Sequence, residues 1–454
     1  MKITTSLRSR ALRAGAWAGG GHISGQLLRL VGNLFLTRLL LPEAFGLMAT
    51  IAALTLTLNL IFDVGSGPVI VQSKRGSDPA FLNTAWTLQI IRGLVIWSIS
   101  ILVALLIAYG QTHGMFKEGS VYDDERLPWL MVATIFSMVL LGFGSVNNKV
   151  AERNLDLGKT TAIDLGAQLF STAAMIAVAA ATHSIWALVM GNLLSAGLRC
   201  AMSHIYLPGP PPRLRLERNA LHELISKGKW VMVSSVLGLI ALTGDRLLLS
   251  GLFDGTTMGL YSIAFGLASM ATSAVGSVFG RIMLPSFSEV VRERPAELPE
   301  TYRKFQQLTD LVIGLVGSFM FMAAPAIIGV LYDDRYQGAA QIFSMLAVGA
   351  IGSRFLVAEQ IYVAMGRTAL LPASIFPKVL LLLIGLPLGY SIDGLQGALV
   401  AIVASSFVQW PIALWFRHQH GLNHWRNDIV LPFAVAAGLS LGWAANALWL
   451  VVST

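Results

Sequence analysis

The residues best able to do chemistry in this chain stand inside long apolar runs, where charge is hardest to place. His22, Gln26, Arg29 and Asn33 are spaced 4, 3 and 4 apart. At 3.6 residues per turn they fall within about 60° of one helical face. Gly15 and Gly19 extend that face. A second run repeats the pattern with Thr161, Asp164, Gln168 and Ser171. Arg92, Arg199, Arg354 and Lys378 also lie mid-run, with Arg38 and Arg246 nearer run ends. A charge at the bilayer centre costs about 2.5–3.5 kcal/mol on insertion scales. Several facing lipid together would rival the stability of a whole domain, so they must face water, each other or a ligand. Arg29, Arg92, Arg199, Arg246, Arg354 and Lys378 stand against Asp164, Asp245 and Glu359. The expected interior is net basic and suits an anionic ligand. Gln26, Arg29, Arg92, Arg246, Arg354 and Lys378 are therefore the candidate substrate-binding residues.

Two carboxylates are candidates for ion coupling. Asp164 has no basic residue within one turn of its own helix, and Glu359 is the second choice. Asp245 is poorer, because Arg246 adjoins it. Plain structural roles compete at each position. Arg38 and Arg199 can snorkel, Thr161 and Ser171 can bond neighbouring helices, Asp164 can bridge a base on another helix, and His22 can be a satisfied core group.

The elements that must position these residues are transmembrane helices. The 454 residues are 55% hydrophobic and 12% charged, with mean hydropathy +0.67. Soluble domains carry about 25% charge, and the apolar runs here reach the roughly 20 residues that cross a bilayer. Thirteen spans are expected, near 14–41, 46–71, 82–109, 128–147, 160–181, 185–207, 230–250, 258–284, 308–331, 338–364, 368–390, 393–416 and 428–452. The basic start (Lys2, Arg8, Arg10, Arg13) precedes an apolar stretch longer than a signal peptide's, so an uncleaved first helix is expected. Of 32 Lys and Arg, 22 fall in one set of loops and 3, namely Lys117, Arg126 and Arg335, in the other. Positive residues stay inside, which places the N-terminus in the cytoplasm. The net charge of +8 then reflects topology and contact with anionic lipid, and nucleic acid is not a partner.

The chain also repeats itself. Tyr122-Asp123-Asp124-Glu125-Arg126 and Ile135-Phe136-Ser137-Met138 return as Tyr332-Asp333-Asp334-Arg335 and Ile342-Phe343-Ser344-Met345. Phe45-Gly46-Leu47-Met48 matches Met258-Gly259-Leu260-Tyr261, and Ala187-Leu188-Val189 matches Ala398-Leu399-Val400. A period of about 210 residues of membrane helices marks a transporter built from two similar halves. The expected fold is all-α and integral to the membrane. It has two six-helix bundles, 1–207 and 230–416, related by a parallel repeat with a site between them. A Pro-rich and basic cytoplasmic linker, 208–229, joins them. A cytoplasmic loop and an additional helix fill 417–454, and nothing in the sequence accounts for that helix.

Signatures of soluble catalysis are absent: no Walker phosphate loop, no His-Glu-x-x-His, no Gly-x-Ser-x-Gly. No catalytic residue, cofactor or metal site is assigned. The single cysteine, Cys200, reads as a small buried hydrophobe and excludes an internal disulfide. The longest outer loop, about 110–127, leaves little room for an enzyme domain.

Other segments carry a resemblance. Leu36-Thr37-Arg38-Leu39-Leu40-Leu41-Pro42-Glu43-Ala44-Phe45-Gly46 looks like a first outer turn. Phe62-Asp63-Val64-Gly65, Gln89-Ile90-Ile91-Arg92-Gly93-Leu94 and Ile185-Trp186-Ala187-Leu188-Val189 continue the set. In the second half come Gly244-Asp245-Arg246-Leu247-Leu248-Leu249-Ser250, Met258 to Ala264, and Leu284-Pro285-Ser286-Phe287-Ser288. Over residues 14–416 the chain resembles the bacterial polysaccharide flippases, the Wzx-like branch of the multidrug/oligosaccharidyl-lipid/polysaccharide exporter superfamily. The resemblance implies an inner-membrane protein that moves a polyprenyl-pyrophosphate-linked oligosaccharide from the cytoplasmic to the outer leaflet. It implies alternating access driven by a cation gradient, with membrane lipids, a polysaccharide polymerase and glycosyltransferases as partners. The basic interior agrees, since arginine matches pyrophosphate geometrically. The alternatives are a peptidoglycan-precursor flippase, a drug or cation antiporter of the same superfamily, and a membrane glycan polymerase or ligase. An antiporter for cations calls for an acid-rich cavity, and a polymerase for a large outer loop.

The basic asymmetry predicts topology. Cysteines placed at Arg153, Arg215 and Arg303 should be protected from impermeant thiol reagents in intact cells, and one at Asp123 should be labelled. Labelling at position 215 from outside would overturn the orientation.

Overall fold

The computed structural model describes residues 7–63, 67, 69–70, 73, 75–209, 211–367, 370–422 and 425–453. Lys2, Val64, Gly65, Lys74 and Pro210 lie outside the described residues, as do the side chains of Arg8, Arg10, Lys227, Lys229 and Arg281. The described residues are helical with short turns, and no β-strand occurs among them. They divide into two compact units, Met1–Leu239 and Ile240–Thr454.

Unit 1 holds α1 (Leu7–Leu39), α2 (Pro42–Ile61), α3 (Pro79–Thr112), α4 (Leu127–Gly142), the short α5 (Asn147–Arg153), α6 (Gly158–Thr182) and α7 (Trp186–Tyr206). Helix α8 (Arg218–Leu252) runs through the division. Unit 2 continues with α9 (Gly255–Glu293), α10 (Leu298–Leu331), α11 (Ala339–Ile351), α12 (Leu356–Ala364), α13 (Leu370–Leu380), α14 (Leu386–Phe407), α15 (Trp410–Gln419) and α16 (Val430–Ser453). Among the described residues, seven segments are long and apolar enough to cross a membrane, or eight if α4 and α5, bent by 64°, count as one broken span. The sequence spans near 368–390 and 393–416 fall on α13 to α15, where Asp393 and Gly394 leave helical geometry inside α14 and break the run.

Burial follows a membrane pattern. Only 17% of the apolar window of α6 is buried inside the chain. Trp129, Phe170, Ile392 and Phe433 stand exposed on helix surfaces. Faces of this kind need hydrocarbon around them, since helices satisfy their own backbone groups and leave apolar side chains for lipid.

The repeated acidic turns build the same small structure twice. Asp124 accepts from the backbone N–H of Arg126 at 2.8 Å and from its guanidinium at 2.6 Å. Asp333 does the same for Arg335, at 3.1 and 2.5 Å. Each turn has a short 3₁₀ segment, Val121–Asp123 in one and Asp334–Tyr336 in the other. Burial acts to raise the pKa of Asp124, but the hydrogen bonds and charge of Arg126 outweigh it and hold the carboxyl below its ordinary value.

The Pro-rich connector is fastened to α3. The N–H groups of Arg213, Arg215 and Glu217 donate to Asn83 Oδ1, Thr87 Oγ1 and Thr84 Oγ1, at 2.8, 3.0 and 3.0 Å. Alternate donors on one side are the period of an extended chain. Asp78 caps α3, and Arg75 bridges Asp78 and Glu217 at 2.7 and 3.0 Å. Beyond the strap, Ala220 and Leu224 pack on Phe81, Leu82 and Val146. Arg75→Ala should loosen the strap and speed tryptic cleavage after Arg213 and Arg215 by up to about fivefold. Limited proteolysis checks this, and an unchanged rate would show that the side-chain ladder on α3 suffices alone.

Candidate functional site

The polar stripes read from the sequence meet face to face in unit 1. Helices α1 and α6 pack closely, and α1 carries no side chain at the crossing points. A Cβ at Gly21 would meet Thr161 Cγ2 at 2.2 Å, and one at Gly32 would meet Thr172 Cγ2 at 2.6 Å. Small residues let membrane helices approach so that side chains can bond across them. Gln168 uses the approach, its Nε2 donating to the carbonyl of Gly25 at 2.9 Å.

A cavity of about 300 Å³ opens along this pair, lined by His22, Gln26 and Arg29 from α1, Asp164 and Gln168 from α6, and Arg199 from α7. Arg199 Nε lies 3.6 Å from Asp164 Oδ1. That carboxylate thus has a basic partner on the next helix, which the spacing on its own helix could not reveal. Asp164 and Arg199 also line a second cavity of about 270 Å³, with Lys149, Glu152 and Gln89. Gln89 and Lys149 in turn line a third, of about 380 Å³, with Arg92, Asn59 and Asp63. The three cavities adjoin through shared residues. Their cations are Arg29, Arg199, Lys149 and Arg92. Arg92 donates to the Asn59 carbonyl at 2.7 Å and to its side-chain oxygen, and lies 3.4 Å from Asp63. Lys149 is held by Glu152 at 2.7 Å.

Gln89 also explains the broken span. Its Nε2 reaches the carbonyls of Leu141, Gly142 and Gly144 at 3.0, 3.1 and 3.2 Å. Leu141 and Gly142 end α4, where carbonyls run out of donors four residues on, and the Leu141 carbonyl also accepts from Gly144 N–H at 3.0 Å. The amide closes them where α4 stops, and the bend brings Lys149 to the cavities.

Unit 2 treats its charges differently. Arg246 and Lys378 line one cavity of about 330 Å³. Arg246 lies over the ring of Phe265 at 4.3 Å, with its Nε 3.8 Å from Asp245. Glu359 feels the positive charge of Lys378. Arg354 sits elsewhere, forked onto Asp310 at 2.9 and 2.8 Å, with Asp428 at 2.5 Å. Arg417 grips the other oxygen of Asp428 at 2.8 Å. Gln306 donates to Asp310 at 2.9 Å, and Tyr302 to Gln306 at 3.2 Å. Asp310 is fully buried, and Arg354 is 12% exposed.

This network revises the sequence count of interior charge. Asp310 is a further intramembrane acid. It sits at the edge of its apolar run, where a hydropathy window does not flag it. Gln306 one turn earlier on the same face was the available signal. The network also gives the last helix a physical account. Helix α16 packs along α10, with Ala434 and Leu431 against Gly314 and Gly438 against Ser318. The loop leading into it delivers Asp428 to two arginines. Burial pushes that carboxyl up, but Arg417 and Arg354 more than offset it and hold it below its ordinary value. A lowered value in the folded state means its contribution is complete above the ordinary aspartate range and is lost as pH falls through the lowered value.

Comparisons with known proteins agree with this architecture. A family model described as polysaccharide biosynthesis protein matches residues 35–341. The lipopolysaccharide biosynthesis protein WzxC of Escherichia coli (strain K12) is 18% identical over 437 residues, covering 90% of this chain and 85% of that protein. The amylovoran biosynthesis protein AmsL of Erwinia amylovora is 24% identical over 162 residues, covering 35% of this chain and 40% of that protein. An inward-facing multidrug resistance MATE family transporter of the MOP superfamily superposes with TM-score 0.68 at 13% identity, over 87% of this chain and 94% of that one. The lipid II flippase MurJ, inward closed, gives 0.66 at 12% identity, over 95% and 97%.

Removing one partner of a buried pair strands the other. Asp310→Leu leaves Arg354 with Asp428 alone and should destabilise the protein by less than the roughly 3–5 kcal/mol of a fully stranded charge, and Asp310→Leu with Arg354→Met should recover most of it. Thermal unfolding of the purified variants by size-exclusion fluorescence checks both. A double variant no more stable than the single would mean that more than this charge pair holds the site.

Proposed function

The chain belongs to the polysaccharide biosynthesis protein family, and on that premise we propose that it is a flippase for a polyprenyl-pyrophosphate-linked oligosaccharide. It moves this cargo from the cytoplasmic to the outer leaflet of the bacterial inner membrane, with its N-terminus in the cytoplasm. It acts as a transporter rather than an enzyme, serving the assembly of exopolysaccharide or O-antigen, with a polymerase and glycosyltransferases as neighbours in the process. The carrying observation is the cationic lining of the adjoining cavities in unit 1. Arg29, Arg199, Lys149 and Arg92 stand there against Asp164, Glu152 and Asp63.

The chemistry follows from that lining. A pyrophosphate carries its charge on oxygens that a guanidinium fork can meet in pairs. Arg29 is exposed toward the cavity, with Gln26 and Gln168 beside it to orient polar groups. The lipid tail needs no protein pocket, because hydrocarbon solvates it. Downhill movement of a cation is the source of work, and it requires a group whose occupancy differs between states. Asp164 fits that role through Arg199. An anionic ligand competes with Asp164 for the guanidinium, and release of the carboxylate lets it take up a cation. Arg354, locked in its carboxylates, acts on transport by holding unit 2 together. Glu359 beside Lys378 is the second coupling candidate.

Flipping of a fluorescent lipid-linked oligosaccharide in proteoliposomes tests the reading. Arg29→Ala should lower the rate by roughly tenfold or more, with Arg29→Lys intermediate, as expected for loss of a charge-assisted fork. Asp164→Asn should still bind the lipid-linked sugar and lose its response to an imposed proton or sodium gradient. Normal flipping by Arg29→Ala at equal protein levels would overturn the pyrophosphate site, and a full gradient response by Asp164→Asn would overturn the coupling role.

A further inference from the structure

The strap that crosses α3 covers a cavity of about 430 Å³, within the size range of ligand sites and wholly inside unit 1. Asp78, Asn83, Asn147, Arg213 and Arg215 bring polar groups to its wall. Asn147 is only 7% exposed. Its backbone N–H donates to Ser145 Oγ at 3.2 Å, and its side-chain amide has no hydrogen-bond partner among the described residues. A buried amide left in that state calls for a partner from outside the chain. Gly209 makes room for it, since a Cβ there would meet both the nitrogen and the oxygen of the amide at 2.7 Å.

The rest of the polar wall consists of donors. The strap spends its backbone N–H groups on α3 and leaves its guanidiniums free. Neither Arg213 nor Arg215 makes an ion pair or a side-chain hydrogen bond among the described residues. Asn83 accepts from the Arg213 N–H through Oδ1, so its NH₂ group remains to donate. The acid of the lining is already engaged. Asp78 accepts from Ala80 N–H at 3.1 Å and from the Arg75 guanidinium at 2.7 Å. Two arginine forks and two amides make a seat for an oxyanion, and phosphate oxygens match the fork.

The surroundings say which molecule brings that phosphate. The strap follows the end of α7 at Tyr206, crosses the first turns of α3 and enters α8 at Arg218. It lies where membrane helices leave hydrocarbon. Leu214 and Leu216 alternate with the two arginines and are 68% and 51% exposed, and Ile205 and Tyr206 stand exposed at the end of α7. Alternate residues of an extended chain take opposite faces, so the strap presents cations on one face and leucines on the other. A free phosphate would use the arginines and leave the leucines in water. A zwitterionic lipid would bring an ammonium toward two guanidiniums, with no uncommitted acid to receive it. An anionic phospholipid brings a phosphodiester for the arginines and amides and acyl chains for the leucines. We propose that this cavity binds the headgroup of an anionic phospholipid, at a site separate from the cavities assigned to cargo and independent of the flippase reading.

Native mass spectrometry of the full-length protein in detergent micelles tests the site. The probes are short-chain phosphatidylglycerol, short-chain phosphatidylcholine, glycerophosphoglycerol and inorganic phosphate. Phosphatidylglycerol should bind at least about fivefold more tightly than each of the others. Arg213→Gln with Arg215→Gln should weaken it by about fivefold for each arginine. Arg292→Gln with Arg294→Gln, an equal loss of charge from exposed side chains of unit 2, should leave it unchanged. Asn147→Ala should weaken it severalfold and Asn147→Asp further, because a carboxylate there faces the phosphate with like charge. Leu214→Ser with Leu216→Ser should bring it toward the level of glycerophosphoglycerol. The arginine and leucine changes lie on exposed side chains and leave the fold intact, which thermal unfolding checks. Equal binding of the two lipids would overturn the anionic headgroup. Free phosphate or glycerophosphoglycerol binding as tightly as the lipid would overturn the lipid as its source. An equal loss in the unit 2 pair would reduce the site to general surface charge and overturn it outright.

Discussion

The structure depends on one constraint: a charge carried into hydrocarbon must be answered before the helix that bears it can stay there. Four of the intramembrane cations described above meet that demand in different ways. Arg92 takes the carbonyl and side chain of Asn59 and the field of Asp63. Arg199 takes Asp164. Arg246 lies on an aromatic face beside Asp245. Arg354 takes two carboxylates at once. The solutions differ in how completely they close, and that difference separates stability from function. A cation held by a buried fork is unavailable to a ligand. A cation 3.6 Å from a single half-open carboxylate can change partners.

The two units divide along this line. Unit 1 arranges Arg29, Arg199, Lys149 and Arg92 around three adjoining cavities whose acids only partly cover them. Unit 2 closes Asp310, Arg354, Asp428 and Arg417 into one cluster, beside an apolar core that includes Phe287, Tyr302, Tyr362 and Phe416. Among the described residues, Arg246 and Lys378 line a further cavity there. The two units therefore carry unlike chemistry, although the acidic turns at Asp124 and Asp333 fold alike.

Much of this was legible from residue spacing. The stripe of His22, Gln26 and Arg29 and that of Asp164 and Gln168 were visible because helical period is a local property. That the stripes face one another was hidden, since the partner of a helical face lies over a hundred residues away. The glycines at 21 and 32 were the nearest hint. Asp310 escaped because its run is apolar enough to mask one acid. Asp428 escaped because it lies in a loop, and loop residues join a core only through the path of the chain. Lys149 was legible as a loop base, and its place at the cavities came from the bend after α4, which rests on the three carbonyls that Gln89 gathers. Local period gives the face of a helix, while long-range pairing decides what the face meets.

The anchoring of α16 has a consequence for how such a chain can change over generations. The helix's leading loop supplies the carboxylate shared by Arg354 and Arg417, so the core relies on it. A stop codon after α15 would then remove more than a surface helix, because two interior guanidiniums would lose their common counter-ion. A chain that lost α16 and its leading loop would have to answer the charge of Arg354 and Arg417 anew, so truncation there costs interior charge balance as well as a surface.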